Sequence, residues 1–232
     1  MKKIGIIGAM ELEVETLKSK MNVVKTTKKA NMEFFEGTLN GVEVVIVRSG
    51  IGKVNAGICT QILADLFDVT HIINTGIAGS LKAEINIGDI VVSTDAVEHD
   101  MDVSALGDPV GQVPRMDTLA FPADEHLIRL AKAANEKVNP DIHTFVGTVA
   151  SGDQFIASQE AKDKIVNNFH AYCTEMEGAA IAHAAYLNKV SYVIIRAISD
   201  KADNSAHVDY PEFEKMAIAR NIKLVQEMLT SM

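Results

Sequence analysis

Lys3-Ile4-Gly5-Ile6-Ile7-Gly8-Ala9-Met10-Glu11-Leu12-Glu13-Val14 is the stretch that decides the fold. Residues 3–9 form a continuous run of buried-strand character. Residues 10–21 then read as a helix with its apolar stripe at Met10, Val14, Leu17 and Met21. At about 100° per residue, Glu13 lies roughly 70° from the centre of that stripe, at the edge of the buried face and beside the strand exit. Glu11 and Glu15 lie further round, where a surface charge explains them. Glu13 reads as functional, with a surface charge as the plainer alternative.

The same alternation continues outward from this unit. Residues 32–39 and 42–49 are strands joined by Asn40-Gly41, a strong hairpin signal. Gly50-Ile51-Gly52-Lys53 leads into a helix to about residue 67, with a stripe at Ile58, Ile62 and Leu66. A strand at 71–74 precedes Thr75-Gly76-Ile77-Ala78-Gly79-Ser80, and another occupies 88–97. Residues 98–118 read as a long loop, of the kind that is usually functional or disordered. Then come a helix (124–138), a strand (144–150), a helix capped by Ser158 (158–169), a helix opening at Glu175, a strand ending near Ser199, and a C-terminal helix with Ile218, Ile222, Val225 and Leu229 on one face. This order predicts an α/β fold: a three-layer α/β/α sandwich around a mixed, largely parallel sheet. No linker, repeat or low-complexity tract divides it, so residues 1–232 are expected to form a single domain.

Composition narrows the function. The chain has 232 residues, is 47% hydrophobic, lacks Trp and carries a net charge of −9. No basic stripe suits nucleic acid or an anionic membrane. Cys59 and Cys173 lie in apolar or helical surroundings without Cys or His at metal-ligand spacing, which predicts buried free thiols and a reducing compartment. The N-terminal apolar run is short and is followed at once by acids, so it reads as a strand rather than an export signal. No segment is long enough to span a bilayer, and a cytoplasmic location is expected.

Ligands of such folds bind outside the carboxyl ends of the strands. Here those exits carry Gly8-Ala9-Met10, Ser49-Gly50-Ile51-Gly52, Thr75-Gly76-Ile77-Ala78-Gly79, Ser151-Gly152-Asp153 and Ser199-Asp200. Glycines at successive exits let backbone approach a ligand closely. Two acids sit together at Glu175-Met176-Glu177, and an apolar strand delivers Arg196, Ser199 and Asp200 to its end. A capped helix and a strand ending in a turn would explain either piece alone. The pair is harder to dismiss, because a buried strand rarely ends in several polar groups without partners for them. Several chemistries lack their signatures. Gly5-x-x-Gly8 is not the full dinucleotide pattern, Gly52-Lys53-Val54 lacks the phosphate-loop hydroxyl, and no Gly-x-Ser-x-Gly is present. His99-Asp100-x-Asp102 could hold a metal but reads more simply as turn and hydrogen-bonding residues. No metal and no cofactor are expected.

The chain resembles the 5′-methylthioadenosine/S-adenosylhomocysteine nucleosidases of the nucleoside phosphorylase superfamily. The likeness rests on Ile4-Gly5-Ile6-Ile7-Gly8-Ala9-Met10-Glu11, Ser49-Gly50-Ile51-Gly52-Lys53-Val54, Ile73-Asn74-Thr75-Gly76, Val91-Val92-Ser93, His99-Asp100, Ser151-Gly152-Asp153, Glu175-Met176-Glu177 and Arg196-Ala197-Ile198-Ser199-Asp200. It implies hydrolysis of an adenine N-glycosidic bond through an oxocarbenium-like ribosyl cation, a step in methionine salvage. It also implies roles. Asp200 would protonate adenine N7, with Ser199 orienting it; the carboxyl must keep its proton at neutral pH, which requires burial or neighbouring acids. Glu177 would bind the ribose hydroxyls, and Glu13 would hold and activate the water, with Arg196 behind it. Phe155 would stack on adenine, the Ile156 backbone would read its edge, and Met176 would pack under the ribose. Ala78, Gly79 and Glu175 complete the substrate-binding set.

Two features depart from the family pattern. Ile77 stands where the family usually has Ser, which removes a hydroxyl that in the family helps place the water or the ribose. The loop after Asp102 lacks the usual aromatics; in the family it crosses to a neighbouring subunit, and Val103, Leu106 and Pro114 are the matching positions. A homodimer with a shared 5′ pocket follows from that resemblance. Tyr210 stands near the 5′ group, either touching the polar tail of S-adenosylhomocysteine or serving as a partly exposed core aromatic. Two other functions stay open at this point. A phosphorylase would need basic groups for phosphate, and Arg48 is the candidate; a non-catalytic nucleoside-binding protein would lack one of Glu13, Glu177 and Asp200.

Overall fold

The computed structural model describes residues 3–232. The opening unit forms as expected: β1 (Lys3–Gly8) runs into α1 (Glu11–Lys20). Next come β2 (Asn22–Lys29), β3 (Met32–Leu39), β4 (Val42–Arg48), α2 (Lys53–Phe67), β5 (His71–Ser80) and β6 (Ile90–Glu98). A short 3-10 turn at Ser104–Leu106 precedes β7 (Phe121–Pro122), α3 (Glu125–Val138), β8 (Thr144–Ser151), α4 (Gln159–Phe169), β9 (Cys173–Glu175), α5 (Gly178–Asn188), β10 (Ser191–Asp200) and α6 (Ala206–Thr230). Asn40 and Gly41 both take positive φ (51° and 81°), as a tight hairpin between β3 and β4 requires.

The strands make one mixed sheet in the order β10-β6-β8-β9-β5-β1-β4-β3-β2, with β7 paired to β6. β1 pairs in parallel with β4 and β5, and β5 in parallel with β10. Because β10 also pairs with β6, the strands β5, β10, β6, β8 and β9 close on themselves at one end of the sheet. Side chains alternate across it as strand geometry demands. Ile4, Ile6, Val44, Ile46, Val193 and Ile195 face α1, α3 and α6, which contribute Leu17, Leu127, Ile218 and Val225. Ile7, Val45, Val47, Ile72 and Ile194 face α2 and α5, which contribute Cys59, Leu63, Ala182 and Ala185. These are the helix, sheet and helix layers that the sequence pattern predicts. A smaller cluster at Leu81, Ile156, Ile165 and Ala202 seats α4.

Four local expectations are corrected. β2 was not anticipated, because its exposed, lysine-rich edge shows no alternation. β5 does not stop at residue 74: Gly76, Ile77, Ala78 and Gly79 continue the strand beside β10. Glu175 ends β9, and the helix opens only at Gly178 with Glu177 as its cap. In α2 the buried positions are Ala56, Cys59, Thr60, Leu63 and Phe67, whereas Ile58 and Leu66 are exposed. Among the described residues, no helix is long and apolar enough to cross a membrane.

Candidate active site

The ends of β1, β5, β9 and β10 and the start of α6 surround a cavity of about 450 Å³. Glu13, Ile77, Ala78, Gly79, Phe155, Glu175, Met176, Glu177, Ser199, Asp200 and Tyr210 all line it. Ile156 lines a small recess that shares Gly79, Phe155 and Asp200 with the main cavity. Acids distant in sequence, Glu13, Glu177 and Asp200, therefore meet in one place.

Glu13 is the third residue of α1 and folds back over the helix start. The Met10 amide donates to its Oε2 at 2.9 Å, and the Ile77 amide donates to Oε1 at 3.3 Å. A capping carboxylate is ordinary; what is unusual is that it is only 4% exposed. Burial raises its pKa, opposed chiefly by the positive charge of Arg196. Gly76 makes room for this: a side chain there would collide with the Arg196 guanidinium and with Glu13 Oε1. The Ile77 amide serves Glu13, and Ile77 stands between the core cluster and the cavity that it also lines.

Arg196 sits behind the cavity rather than in its lining and is fully buried. Its Nη2 donates to Asn74 Oδ1 at 2.7 Å and pairs with Glu175 Oε2. Glu177 Oε2 stands 3.8 Å from the same nitrogen. Burial opposes the Arg196 charge, but Glu175, Glu177 and Glu13 together raise its pKa. A buried cation surrounded by carboxylates is the arrangement that burial of charge demands. Glu175 also accepts from Ser151 Oγ and from the amides of Glu177 (3.1 Å) and Gly178 (2.8 Å), so it closes the N-terminus of α5. Glu177 is the less compensated acid of the pair. Its Oε1 accepts from the Gly52 amide at 2.9 Å, and burial followed by repulsion from Glu175 pushes its pKa up to about 7.

Asp200 owes its aim to a β-bulge. Ile198 pairs with Ala78 and Asp200 with Gly79, which leaves Ser199 as the extra residue. The Ala202 amide donates to Asp200 Oδ1 at 2.8 Å and Ser199 Oγ to Oδ2 at 2.9 Å. Burial nevertheless raises the Asp200 pKa against these two donors. Such a carboxyl can hold a proton and give it to a leaving group.

At the mouth, Phe155 and Tyr210 meet edge to face, with ring centroids 5.7 Å apart. Tyr210 Oη donates to Glu214 at 2.9 Å, and Tyr210 lies inside α6. Val103, Leu106 and Pro114 do not line this cavity; Leu106 and Pro114 are exposed, and Val103 is half-buried. Asp102 accepts from Ser104, and Asp100 pairs with Lys53, so both have the hydrogen-bonding roles that sequence suggested. Arg48 lies in a separate surface groove, 3.8 Å from Glu11.

Sequence reasoning missed several residues. Thr174, His207 and Pro211 also line the cavity, as do Ala9, Met10 and Ile51, which the sequence places at strand exits. A ring of bonds at the start of α2 escaped as well. Lys53 Nζ contacts Asp100 at 2.6 Å and Glu98 at 3.0 Å, the Asp153 amide donates to Asp100 Oδ2 at 2.9 Å, and the Lys53 amide donates to Asp153 Oδ1 at 2.8 Å. This ring fixes Gly52 against Glu177. The advance signals were that Lys53, Asp100 and Asp153 each follow a strand end and lie in segments that carry the family resemblance.

Residues 3–230 match the model of the phosphorylase superfamily. A 5′-methylthioadenosine/S-adenosylhomocysteine nucleosidase of Staphylococcus carnosus is 41% identical over 230 residues, covering 99% of this chain and all of that one. The chain belongs to this nucleosidase family, within the phosphorylase superfamily. Two solved structures of the family lie close to it. The Neisseria meningitidis nucleosidase in complex with methylthio-immucillin-A superposes with a TM-score of 0.95 at 39% identity, both chains fully covered. The Colwellia psychrerythraea nucleosidase in complex with adenine gives 0.94 at 41% identity, covering 98% of this chain and 94% of that one.

Proposed function

We propose that this cavity hydrolyses the N-glycosidic bond of 5′-methylthioadenosine and S-adenosylhomocysteine, releasing adenine and the 5-substituted ribose. The observation that carries the assignment is the convergence of Glu13, Glu177 and Asp200 on one cavity, with Asp200 buried and held by two donors. Asp200 gives its proton to adenine N7, so the base leaves neutral. The C1′–N9 bond breaks as positive charge grows on the ribose, facing Glu177. Water then adds to C1′ and loses a proton toward Glu13, while Arg196 holds the neighbouring carboxylates in charge balance. Phe155 stacks on the base, the Ile156 backbone meets its edge, and Met176 packs under the sugar. The adenine and nucleoside-analogue complexes of the two relatives support a purine in this position.

Phosphorolysis is the reading to set against this. A phosphate dianion needs cationic donors, and the described lining holds no Lys or Arg. Glu13 repels an anion where phosphate would attack. Adenine release measured with and without added phosphate separates the two; release that depends on phosphate would overturn hydrolysis.

Two further readings belong with this one. Residues 1–232 act as one catalytic domain, since every helix layer packs on the same sheet. The enzyme works as a homodimer: Val54, Ile58, Leu66 and Leu187 leave an apolar face on α2 and α5, with a groove between those helices. A face of this kind marks a protein interface. Val103, Leu106 and Pro114 then line the partner's 5′-substituent pocket. The buried free thiols Cys59 and Cys173 support a cytoplasmic setting.

A further inference from the structure

We infer that Lys162 is a positioning residue for Asp200, acting through the single peptide group that joins Lys201 to Ala202. This rests on the reading of Asp200 as the acid. The two ends of that peptide group are occupied on opposite sides. Lys162 Nζ, reaching from α4, donates to the Lys201 carbonyl oxygen at 2.6 Å. The nitrogen of the same peptide, the Ala202 amide, donates to Asp200 Oδ1 at 2.8 Å. A cation on the carbonyl polarises the amide and makes its N–H a stronger donor, because hydrogen bonds in series reinforce one another in a low-dielectric interior. The ammonium thereby favours the ionised form of an acid that it does not touch.

The turn is built around this chain of bonds. Ala202 is fully buried with φ at +50°, a left-handed conformation that a non-glycine residue adopts only when its surroundings impose it. Lys201 Nζ ties the turn to the Ile85 carbonyl, and Asp203 accepts from the Ser205 amide at 2.9 Å. Gly79 completes the fit. A Cβ there would stand 2.6 Å from Asp200 Oδ1 and 2.8 Å from the Ala202 Cβ.

Several other charges act here. Asp203 and Asp209 both push the Asp200 pKa upward, beneath the larger effect of burial. Tyr210 interacts with Asp200 from α6. Lys162 itself is flanked by Asp203, with Oδ2 at 3.9 Å, and by Lys201 and Asp163, and its charge also acts on Asp200 through space, in the same direction as the relay through the peptide group. Lys162 is thus a cation of α4 working against burial and two acids at the catalytic carboxyl.

The test is the pH dependence of kcat/KM for adenine release from methylthioadenosine by the full-length enzyme, with Lys162→Met, Lys162→Gln and Lys162→Arg. The alkaline limb marks loss of the Asp200 proton. Lys162→Met should move it up by about half to one pH unit, with KM unchanged. Lys162→Gln, which keeps a neutral donor, carries the same test with a smaller shift if the Met variant does not fold. Lys162→Arg should restore the wild-type limb. A limb that stays in place while kcat falls would reduce Lys162 to a structural prop and overturn the inference. A limb that rises as far with Arg as with Met would mean that the charge at residue 162 is not what acts on Asp200, which also overturns it. A wild-type profile without an alkaline limb would overturn both this inference and the role of Asp200.

Discussion

The Gly52 amide donates to Glu177 Oε1 across 2.9 Å, tying the turn before α2 to the cap of α5. Gly52 has φ +95° and ψ 162°, a region essentially open only to glycine, and a Cβ would stand 3.0 Å from Asp153 Oδ1. Gly52→Ala should therefore cost about 1–3 kcal/mol of stability. Losing the charge-assisted bond should also raise KM for methylthioadenosine by about tenfold. Urea unfolding and steady-state kinetics check the two parts separately.

Glu13, Glu177 and Asp200 all have raised pKa values in the fold, Glu177 to about 7 from an ordinary 4.5. Between these two pH values the folded state holds a proton on Glu177 that the unfolded chain has released. The contribution of Glu177 to stability is therefore full below about pH 4.5 and is lost as pH rises toward 7. His99, lowered by burial, slopes the opposite way below 6.5, so a difference measurement is needed. Wild-type stability minus that of Glu177→Gln should fall with rising pH by at most about 1.4 kcal/mol per unit across this window. Urea titrations at a series of pH values measure it.

Arg196 compensates three buried acids from a position that is 1% exposed. Arg196→Met should destabilise the fold by about 3–5 kcal/mol, because the paired carboxylate is left buried without a cation. Arg196→Lys should recover only part of this, since the shorter lysine does not carry its charge to the Nη2 position, where one nitrogen meets Asn74, Glu175 and Glu177. Denaturant midpoints for the two variants test the order.

Val54 and Leu187 are 72% and 62% exposed on the α2–α5 face. Val54→Asp combined with Leu187→Asp should leave folding intact and shift sedimentation from dimer to monomer. Adenine release should drop with it, as the loop carrying Val103, Leu106 and Pro114 loses its partner. A monomer of full activity would contradict the shared pocket.

Much of this site was legible because its chemistry is carried by charged side chains at the ends of apolar strands. Glu13, Glu177, Arg196 and Asp200 stand out for that reason; burial then raises the pKa values of the three acids, and the carboxylates around Arg196 raise its own against burial. Backbone donors were invisible. The amides of Gly52, Ile77 and Ala202 set the geometry of three acids, and no residue type announces an amide. The ring at Lys53 joins segments 45 to 100 residues apart, so local spacing could not reveal it. In α2 the period was right and the phase wrong. The helix is apolar on two faces, one buried in the core and one exposed, and a stripe alone cannot tell them apart. The glycines of β5 read as a turn, yet tertiary pairing with β10 holds them in a strand.

The most direct measurement is adenine release by Asp200→Asn, alongside binding of methylthioadenosine to the same variant. Asparagine keeps the size of the side chain and the contact with Ser199 but cannot supply the proton. Turnover should fall by about three orders of magnitude or more, with affinity within a few-fold of wild type. Near-normal release of adenine by Asp200→Asn would contradict the assignment of Asp200 as the acid.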